Sequence, residues 1–328
     1  MKFKVLSSFL SASMFLSVIP VFSETTTFAE ETPEKVESVN IQALEAYHEF
    51  KVTPDKMIYS EEMAAIKPAS EEEIQARIDR LAEEFNSKLS AKDQQKGQDL
   101  YRSYTKIYGN SIKSQSVVDY DKFYNELRKA NYIETILDLN EGLTEFQIAK
   151  IGITHANKAR DLALNKYPAS NHVMLRDGYR HFGWNYLSTR DVGAIPTRIA
   201  TNNHEWGLTL LNPVLNYYDQ RVAYHTNKGS SAIAFNAFND TTIWIPFLKQ
   251  NLMFLCEDSY SFFKGFFSVA NIMDFHNNVY GRAYASTHPT SLDSAYNAAR
   301  VNLDIVLSEA SVKDFNYQLV YNNNWYNY

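Results

Sequence analysis

The sequence contains one cysteine, Cys256, among 328 residues, which excludes an intramolecular disulfide framework. Lysine and arginine are not clustered, and the formal net charge is -6. The chain therefore has no nucleic-acid footprint, because that footprint is a concentrated basic surface. After the N-terminal region, no segment has the roughly 20 uncharged apolar residues that a transmembrane span needs. We expect the fold to be stabilised by its core, or by a metal or ligand.

A sustained alternation of apolar and polar residues is also missing, so a sheet of any size is not expected. Hydrophobic residues make up 45% of the chain, and many recur at helical spacing. Ser70 and Glu73 form a capping box, which precedes an apolar stripe at three- and four-residue steps: Ile74, Ile78, Leu81, Phe85 and Leu89. The sequence therefore predicts an all-α class, with a multi-helix globular domain preceded by an acidic helical N-terminal region.

The second half of the chain carries further helix signals. Caps, breakers and apolar periodicity predict helices at about 144–166, 175–190, 196–206, 270–286 and 291–308. Residues 207–240 are predicted to be irregular, because they contain the turn signals Asn212-Pro213 and Lys228-Gly229. The segment from 317 to 328, rich in Asn and Tyr, is consistent with a strand, a surface tail or disorder.

The N-terminus has the three parts of a secretion signal. Lys2 and Lys4 supply the charge, residues 5–21 form an apolar run, and small residues follow it. The run is short for a membrane anchor and no basic flank follows it, so a removed signal is favoured. We predict a signal peptide at 1–29, an acidic linker at 30–68, a helical N-terminal region at 69–135 and a helical domain with the candidate site at 136–328. The expected location is extracellular.

Three polar clusters lie on predicted helices whose other positions are largely apolar. Their members are Asp177, Arg180 and His181, then His204 and Glu205, and finally Asp274, Asn278 and Arg282. Residues three or four apart share one helical face. Polar groups on a buried face need polar partners, so we expect the clusters to meet at the junction of three helices.

These residue types favour a metal-assisted hydrolase. The predicted ligands of zinc or a similar divalent metal are Asp177, His181, His204, Asp274 and Asn278, since imidazole nitrogen and carboxylate oxygen suit such ions. The predicted catalytic residues are His181, Glu205, Arg180 and Arg282. Glu205 would act as general base towards water activated by the metal, and the two arginines would stabilise a developing anion.

Two other hypotheses stay open. In the first, Asp177, Arg180, Asp274 and Arg282 form a buried ion-pair network, and the chain is a non-catalytic secreted binding or structural protein. In the second, the chain is a toxin domain that acts on a target cell. The substrate class of an enzyme is also open among lipid, cell wall and nucleic acid, with a lipid or cell-envelope component as the candidate partner. Aromatic residues within 207–270 would serve either as core or as an apolar surface offered to a lipid.

Three ordered elements carry a resemblance: Asp177-x-x-Arg180-His181-x-x-Trp184-Asn185, then His204-Glu205, then Met273-Asp274-x-His276-Asn277-Asn278-x-x-Gly281-Arg282. The pattern resembles a poorly characterised family of helical domains in bacterial secreted proteins and in the C-terminal regions of polymorphic toxins. It covers about residues 140–310. The resemblance implies an all-α domain and an extracellular or toxin-like setting, and it supplies no reaction. The stretch between Glu205 and Asp274 is long for the pattern.

The first testable prediction concerns export. Residues 1 to about 29 should be absent from the mature protein, because a signal peptidase removes a segment of this composition. Mass spectrometry of the exported protein should give an N-terminus close to residue 30. An exported protein that retains Met1 would contradict the signal-peptide assignment.

Overall fold

The computed structural model describes residues 59–109 and 119–327, which form helices joined by short loops, with no strand among them. The predicted all-α class is confirmed. The predicted signal peptide, at 1–29, lies outside the described residues, as does most of the linker predicted at 30–68.

The N-terminal helices follow their capping signals. They are α1 (Glu61–Ala64), α2 (Glu71–Lys88), α3 (Ala91–Tyr108), α4 (Tyr120–Leu127) and α5 (Ala130–Asn140). The predicted capping box of Ser70 and Glu73 starts α2. Gly109 ends α3 in the left-handed region, at φ 68°, which glycine adopts without steric cost.

The next helical stretch contains a change of helix type. It consists of α6 (Glu145–Ile148), a π-helical segment (Ala149–His155) and α7 (Ala156–Lys166), which follow one another without a break. The sequence predicts one helix over this range and gives no sign of the π segment. The indole nitrogen of Trp184 donates to the carbonyl of Ile151 at 2.8 Å. The same carbonyl also accepts from the backbone N–H of Ala156, so the indole adds a second hydrogen bond inside the π segment.

Three long helices form the middle of the fold: α8 (Val173–Val192), α9 (Ala194–Asn227) and α10 (Ile233–Asp258). The prediction that residues 207–240 are irregular is wrong, except for the turn at Lys228-Gly229 between α9 and α10. Pro213 lies inside α9 and Pro246 inside α10. A proline removes one helical hydrogen bond, but the buried side chains around Pro213 pack well enough for the helix to continue.

The C-terminal part contains α11 (Tyr260–Phe266), α12 (Val269–Thr287), α13 (Leu292–Val301) and α14 (Asp314–Asn322). The helix predicted at 291–308 ends early, because the chain turns after Val301 and Leu303 adopts a positive φ of 62°. Of the segment predicted to be a strand, a surface tail or disorder, residues 317–322 belong to α14, and turns at 323–326 follow them. Trp325 and Tyr326 are buried in the core.

One hydrophobic core joins both halves of the described chain. It contains side chains from α2 to α5 together with side chains from α9 to α12 and the C-terminal segment. Trp244 stacks on Tyr217 with ring centroids 4.6 Å apart, and both are buried. The aromatic residues of 207–270 are thus mainly core, although Phe254 is exposed. In the part of the chain described here, no helix has the length and apolarity to cross a bilayer.

Helices α8 and α12 lie unusually close together. A Cβ atom at Gly281 would lie 2.4 Å from the carbonyl oxygen of Phe182 and 2.8 Å from the Cβ of Asn185. Both distances are far below normal van der Waals separation. Only glycine at position 281 permits this approach, and the approach brings the polar faces of the two helices into contact.

We expect Gly281→Ala to lower the free energy of unfolding by about 1–3 kcal/mol or more, because the methyl group forces two backbones apart. Chemical denaturation measures the change. Gly152→Ala is the control: its Cβ would meet only the Tyr108 hydroxyl, at 3.7 Å, so stability should not fall and should rise by up to about 1 kcal/mol, the usual gain from alanine in a helix. Equal stability of both variants and the wild type would contradict the close approach.

Candidate functional site

The three polar clusters meet where α8, α9 and α12 pack against one another. From α8, His181 faces Asp274 of α12 and Glu205 of α9. The His181 Nε2 lies 3.4 Å from Asp274 Oδ1, and its Nδ1 lies 3.7 Å from Glu205 Oε1. Asp177 completes the cluster one turn before His181, with its Oδ1 3.7 Å from Nε2. The predicted convergence is therefore present in the structure.

His181 has one defined tautomer. Its Nε2 lies 2.7 Å from Arg180 Nη2, and its Nδ1 lies 3.1 Å from the side-chain oxygen of Asn278. A guanidinium nitrogen only donates, so Nε2 accepts and Nδ1 carries the proton that it donates to Asn278. The Nε2 lone pair therefore faces the carboxyl groups of Asp177 and Asp274.

Asp177, His181 and Asp274 can hold a metal ion, because their ligand atoms all lie within 4.8 Å of one another. Ligands at 2.0–2.1 Å from a tetrahedral zinc ion are separated by about 3.3–3.4 Å. The two distances from His181 Nε2, 3.4 and 3.7 Å, require little contraction to reach this value. Asp274 Oδ1 is buried and accepts no hydrogen bond, so it offers a free lone pair towards the same point.

The two aspartates differ in charge. Burial alone raises the pKa of Asp177, but the Arg180 guanidinium outweighs burial and holds the pKa of this carboxyl below its ordinary value. Burial, together with the negative charges of Asp177 and Glu205, raises the pKa of Asp274 well above its ordinary value. The two carboxyl groups interact with each other, and the opposite directions of their pKa shifts favour a proton on Asp274 rather than on Asp177.

His181 and Glu205 are buried, and burial shifts the pKa values of both side chains. Burial, and then the nearby charge of Arg180, lowers the pKa of His181 to about 3, so the ring is neutral. Burial raises the pKa of Glu205 to about 7. Asn271 donates to one Glu205 oxygen at 3.3 Å, and the other oxygen, Oε1, is buried without a hydrogen bond. A carboxyl group with a pKa near neutrality and a free oxygen is suited to proton transfer.

The structure separates His204 from the predicted metal ligands. Its Nδ1 lies 2.6 Å from a carboxylate oxygen of Glu134, which belongs to α5. Burial lowers the pKa of His204, but the charge of Glu134 outweighs burial and raises it. The His204 and His181 rings are neighbours, with centroids 6.2 Å apart. His204 is therefore held by Glu134 beside the site, while Asp177, His181 and Asp274 form the compact ligand group.

Asn278 and Arg282 lie behind His181. Asn278 accepts both from His181 and from Asn185, whose amide donates to it at 2.6 Å. The Arg282 Nη1 donates to Asn185 at 2.6 Å and contacts the Thr201 hydroxyl at 3.2 Å. Arg282 is buried and forms no ion pair with a described carboxylate. Arg282 thus belongs to a neutral amide network that orients His181, and Asn278 is the acceptor that fixes its tautomer.

Several supporting residues are absent from the sequence-based prediction. Glu134 comes from a helix about 70 residues before its partner His204, and nothing in the local pattern of α5 marks it. Trp184 and Asn185 belong to the first of the three sequence elements, on α8, but the residues that they contact are visible only in the structure. The Trp184 ring packs against His204 with centroids 5.3 Å apart, while its nitrogen is held by the π segment. The π segment thereby positions the Trp184 ring, which borders the site.

The cluster reaches solvent on one side. The side chains of Arg180 and Asp177 are 36% and 26% exposed, whereas those of His181, Glu205 and Asp274 are 1%, 0% and 10% exposed. A ligand that enters from this side therefore meets Arg180 and Asp177 first.

No protein-family model matches this chain, and neither a curated protein nor a solved structure matches it. The resemblance to the helical family of secreted and toxin domains stays a prediction. The chemistry of the site is inferred from its own geometry.

We expect Arg282→Met to leave the free energy of unfolding within about 1 kcal/mol of the wild type, or to raise it. The substitution removes a costly buried cation, and Asn185 Oδ1 still accepts from Thr201 at 2.9 Å. The control is Arg221→Met, because Arg221 pairs with the fully buried Asp240 at 2.7 Å. Breaking that buried ion pair should cost up to about 3–5 kcal/mol, because Asp240 keeps only His225, at 2.7 Å, and Gln94, at 3.5 Å, as partners.

Urea denaturation of both variants measures these changes. A loss of several kcal/mol in Arg282→Met, equal to the loss in the control, would contradict the neutral network. It would instead show that the hydrogen bonds of Arg282 to Asn185 and Thr201 outweigh the cost of burying its charge.

Proposed function

We propose that this chain is a metal-assisted hydrolase whose metal is held by Asp177, His181 and Asp274. One observation carries the proposal: three ligand atoms, including the accepting nitrogen of a neutral and oriented imidazole, lie within 4.8 Å of one another, with two of their separations at 3.4 and 3.7 Å. His181 combines a fixed tautomer with two carboxyl oxygens that lie 3.4 and 3.7 Å from its accepting nitrogen. Metal-binding histidines use this arrangement, with the other ring nitrogen donating to an oxygen.

The remaining residues have separate roles in the proposed reaction. A divalent cation at this position supplies Lewis-acid activation of water and of the scissile group. Glu205 takes up the proton from the attacking water through its free Oε1, and its pKa of about 7 suits this exchange. Asn278 keeps the His181 ring oriented. Arg180, which is partly exposed at the entrance, stabilises negative charge on the substrate.

The setting of the enzyme is also part of the proposal. The apolar N-terminal run supports secretion, and the three-element resemblance supports an extracellular or toxin-like role. A lipid or cell-envelope component is the substrate class that fits an exported hydrolase.

One observation favours a structural role instead. Arg180 already donates to Asp177 at 2.6 Å and to His181 at 2.7 Å, so a cation from the chain itself satisfies part of the cluster. On this reading the chain is a non-catalytic binding or structural protein, and the cluster ties α8 to α12. The two functions differ in their response to zinc.

We expect zinc to raise the melting temperature of the wild type by about 5 °C or more, and a chelator to reverse the increase. Occupancy at one hundred times the dissociation constant adds about 2.7 kcal/mol of stability, and each kcal/mol corresponds to about 2–4 °C in a chain of this size. His181→Ala should lose the zinc-dependent increase. Glu205→Gln should keep it but lose zinc-dependent hydrolysis of chromogenic ester and phosphodiester substrates.

The matched control is His276→Gln. His276 is buried on α12, and its Nε2 lies 3.2 Å from the carbonyl of Asp304, outside the ligand group. Its variant should show the wild-type response to zinc. A wild type that does not respond, or a response that survives His181→Ala, would contradict the metal site and favour the structural role.

A further inference from the structure

Arg180 contacts the same two atoms that would bind the metal. One nitrogen of its guanidinium, Nη2, lies 2.6 Å from Asp177 Oδ1 and 2.7 Å from His181 Nε2. These two atoms belong to the ligand group with Asp274. The guanidinium nitrogen therefore lies close to the position that a bound ion would take.

Arg180 and a metal ion exclude each other at this position for two reasons. The Nε2 lone pair of His181 can accept a hydrogen bond or coordinate a metal, but it cannot do both. Two positive charges within a few ångströms also repel each other strongly in a buried site. A metal that binds here must first displace the guanidinium.

The burial of the cluster identifies which residue moves. The Arg180 side chain is 36% exposed, while those of His181 and Asp274 are 1% and 10% exposed. Arginine has a long and flexible side chain, and its displacement towards solvent opens no void in the core. His181 and Asp274 are held between packed helices and cannot leave without disturbing the contact of α8 with α12.

Displacement has a second consequence for Arg180. Its strongest partner, Asp177, becomes a metal ligand, so the guanidinium loses that partner while its backbone stays at the entrance of the site. A guanidinium at the mouth of a metal site binds the oxygen atoms of a phosphate-type anion well, because its planar donors match two of those oxygens.

We propose that the guanidinium of Arg180 occupies the metal position until a divalent metal replaces it. The metal displaces the guanidinium from Asp177 and His181, and the released guanidinium binds a phosphate-type oxyanion of the substrate. The inference rests on the proposed metal site. It adds a substrate class, a phosphoester, and it makes anion binding dependent on prior metal binding. The coupling is reciprocal, since two ligands that favour one state of a protein strengthen each other's binding.

The first test is zinc binding measured by titration calorimetry on the mature chain. Arg180→Met removes the competing cation and should bind zinc about tenfold or more tightly than the wild type, a usual size for such coupling. Arg176→Met is the control, because it removes the same charge one helical turn earlier and leaves the ligand atoms unchanged. It should bind zinc as the wild type does. Circular dichroism confirms that each variant is folded, and Arg180→Gln provides a second variant.

The second test is inorganic phosphate binding at micromolar zinc. Zinc-loaded wild type should bind phosphate, zinc-free wild type should bind it at least tenfold more weakly, and zinc-loaded Arg180→Met should also lose about tenfold. Equal phosphate affinity with and without zinc would overturn the proposal. Equal affinity in the wild type and Arg180→Met would also overturn it.

The outcomes separate this inference from the metal site itself. If the wild type and Arg180→Met bind zinc equally and His181→Ala does not bind it, the metal site stands and the exchange is wrong. If the wild type and both Arg180 variants fail to bind zinc, the metal site is wrong and the exchange falls with it.

Discussion

The close contact of α12 with α8 is the constraint on which the site depends. Gly281 lets the two backbones approach so closely that a methyl group would lie 2.4 Å from a carbonyl oxygen. At this separation, short side chains span the interface, and the amide of Asn278 reaches both His181 and Asn185. These bonds fix the imidazole without a long flexible side chain. The carboxyl groups of Asp177 and Asp274 are brought together by the same contact.

The sequence predicts those features that depend on neighbouring residues. Helix starts follow from capping residues such as Ser70, and the shared face of Asp177 and His181 follows from helical periodicity. Features that depend on tertiary packing are missed. Pro213 and its neighbours look like a turn locally, yet burial keeps them helical. Glu134 reaches the site from a distant helix, which no local pattern reveals.

For Arg282, the sequence predicts the correct helix face but the wrong role. It shares the α12 face with Asp274 and Asn278, so the prediction places all three in one site. Eight residues separate Asp274 from Arg282, however, which is about 12 Å along a helix. The guanidinium therefore reaches Asn185 and Thr201, beyond the carboxyl groups. Helical periodicity fixes the direction in which a side chain points. The position of the residue along the helix axis decides what that side chain contacts.

The last residues of the described chain complete its interior. The Trp206 indole donates to the carbonyl of Tyr326 at 2.6 Å, and Ser60 exchanges two hydrogen bonds with Gln318. Contacts that join such distant positions close slowly, because the chain between them must first be ordered. Without Trp325 and Tyr326, apolar rings of the core would be uncovered, because Tyr326 packs against Phe263 and Phe267. Residues at the far end of the described chain thus line the core, and their removal should be poorly tolerated.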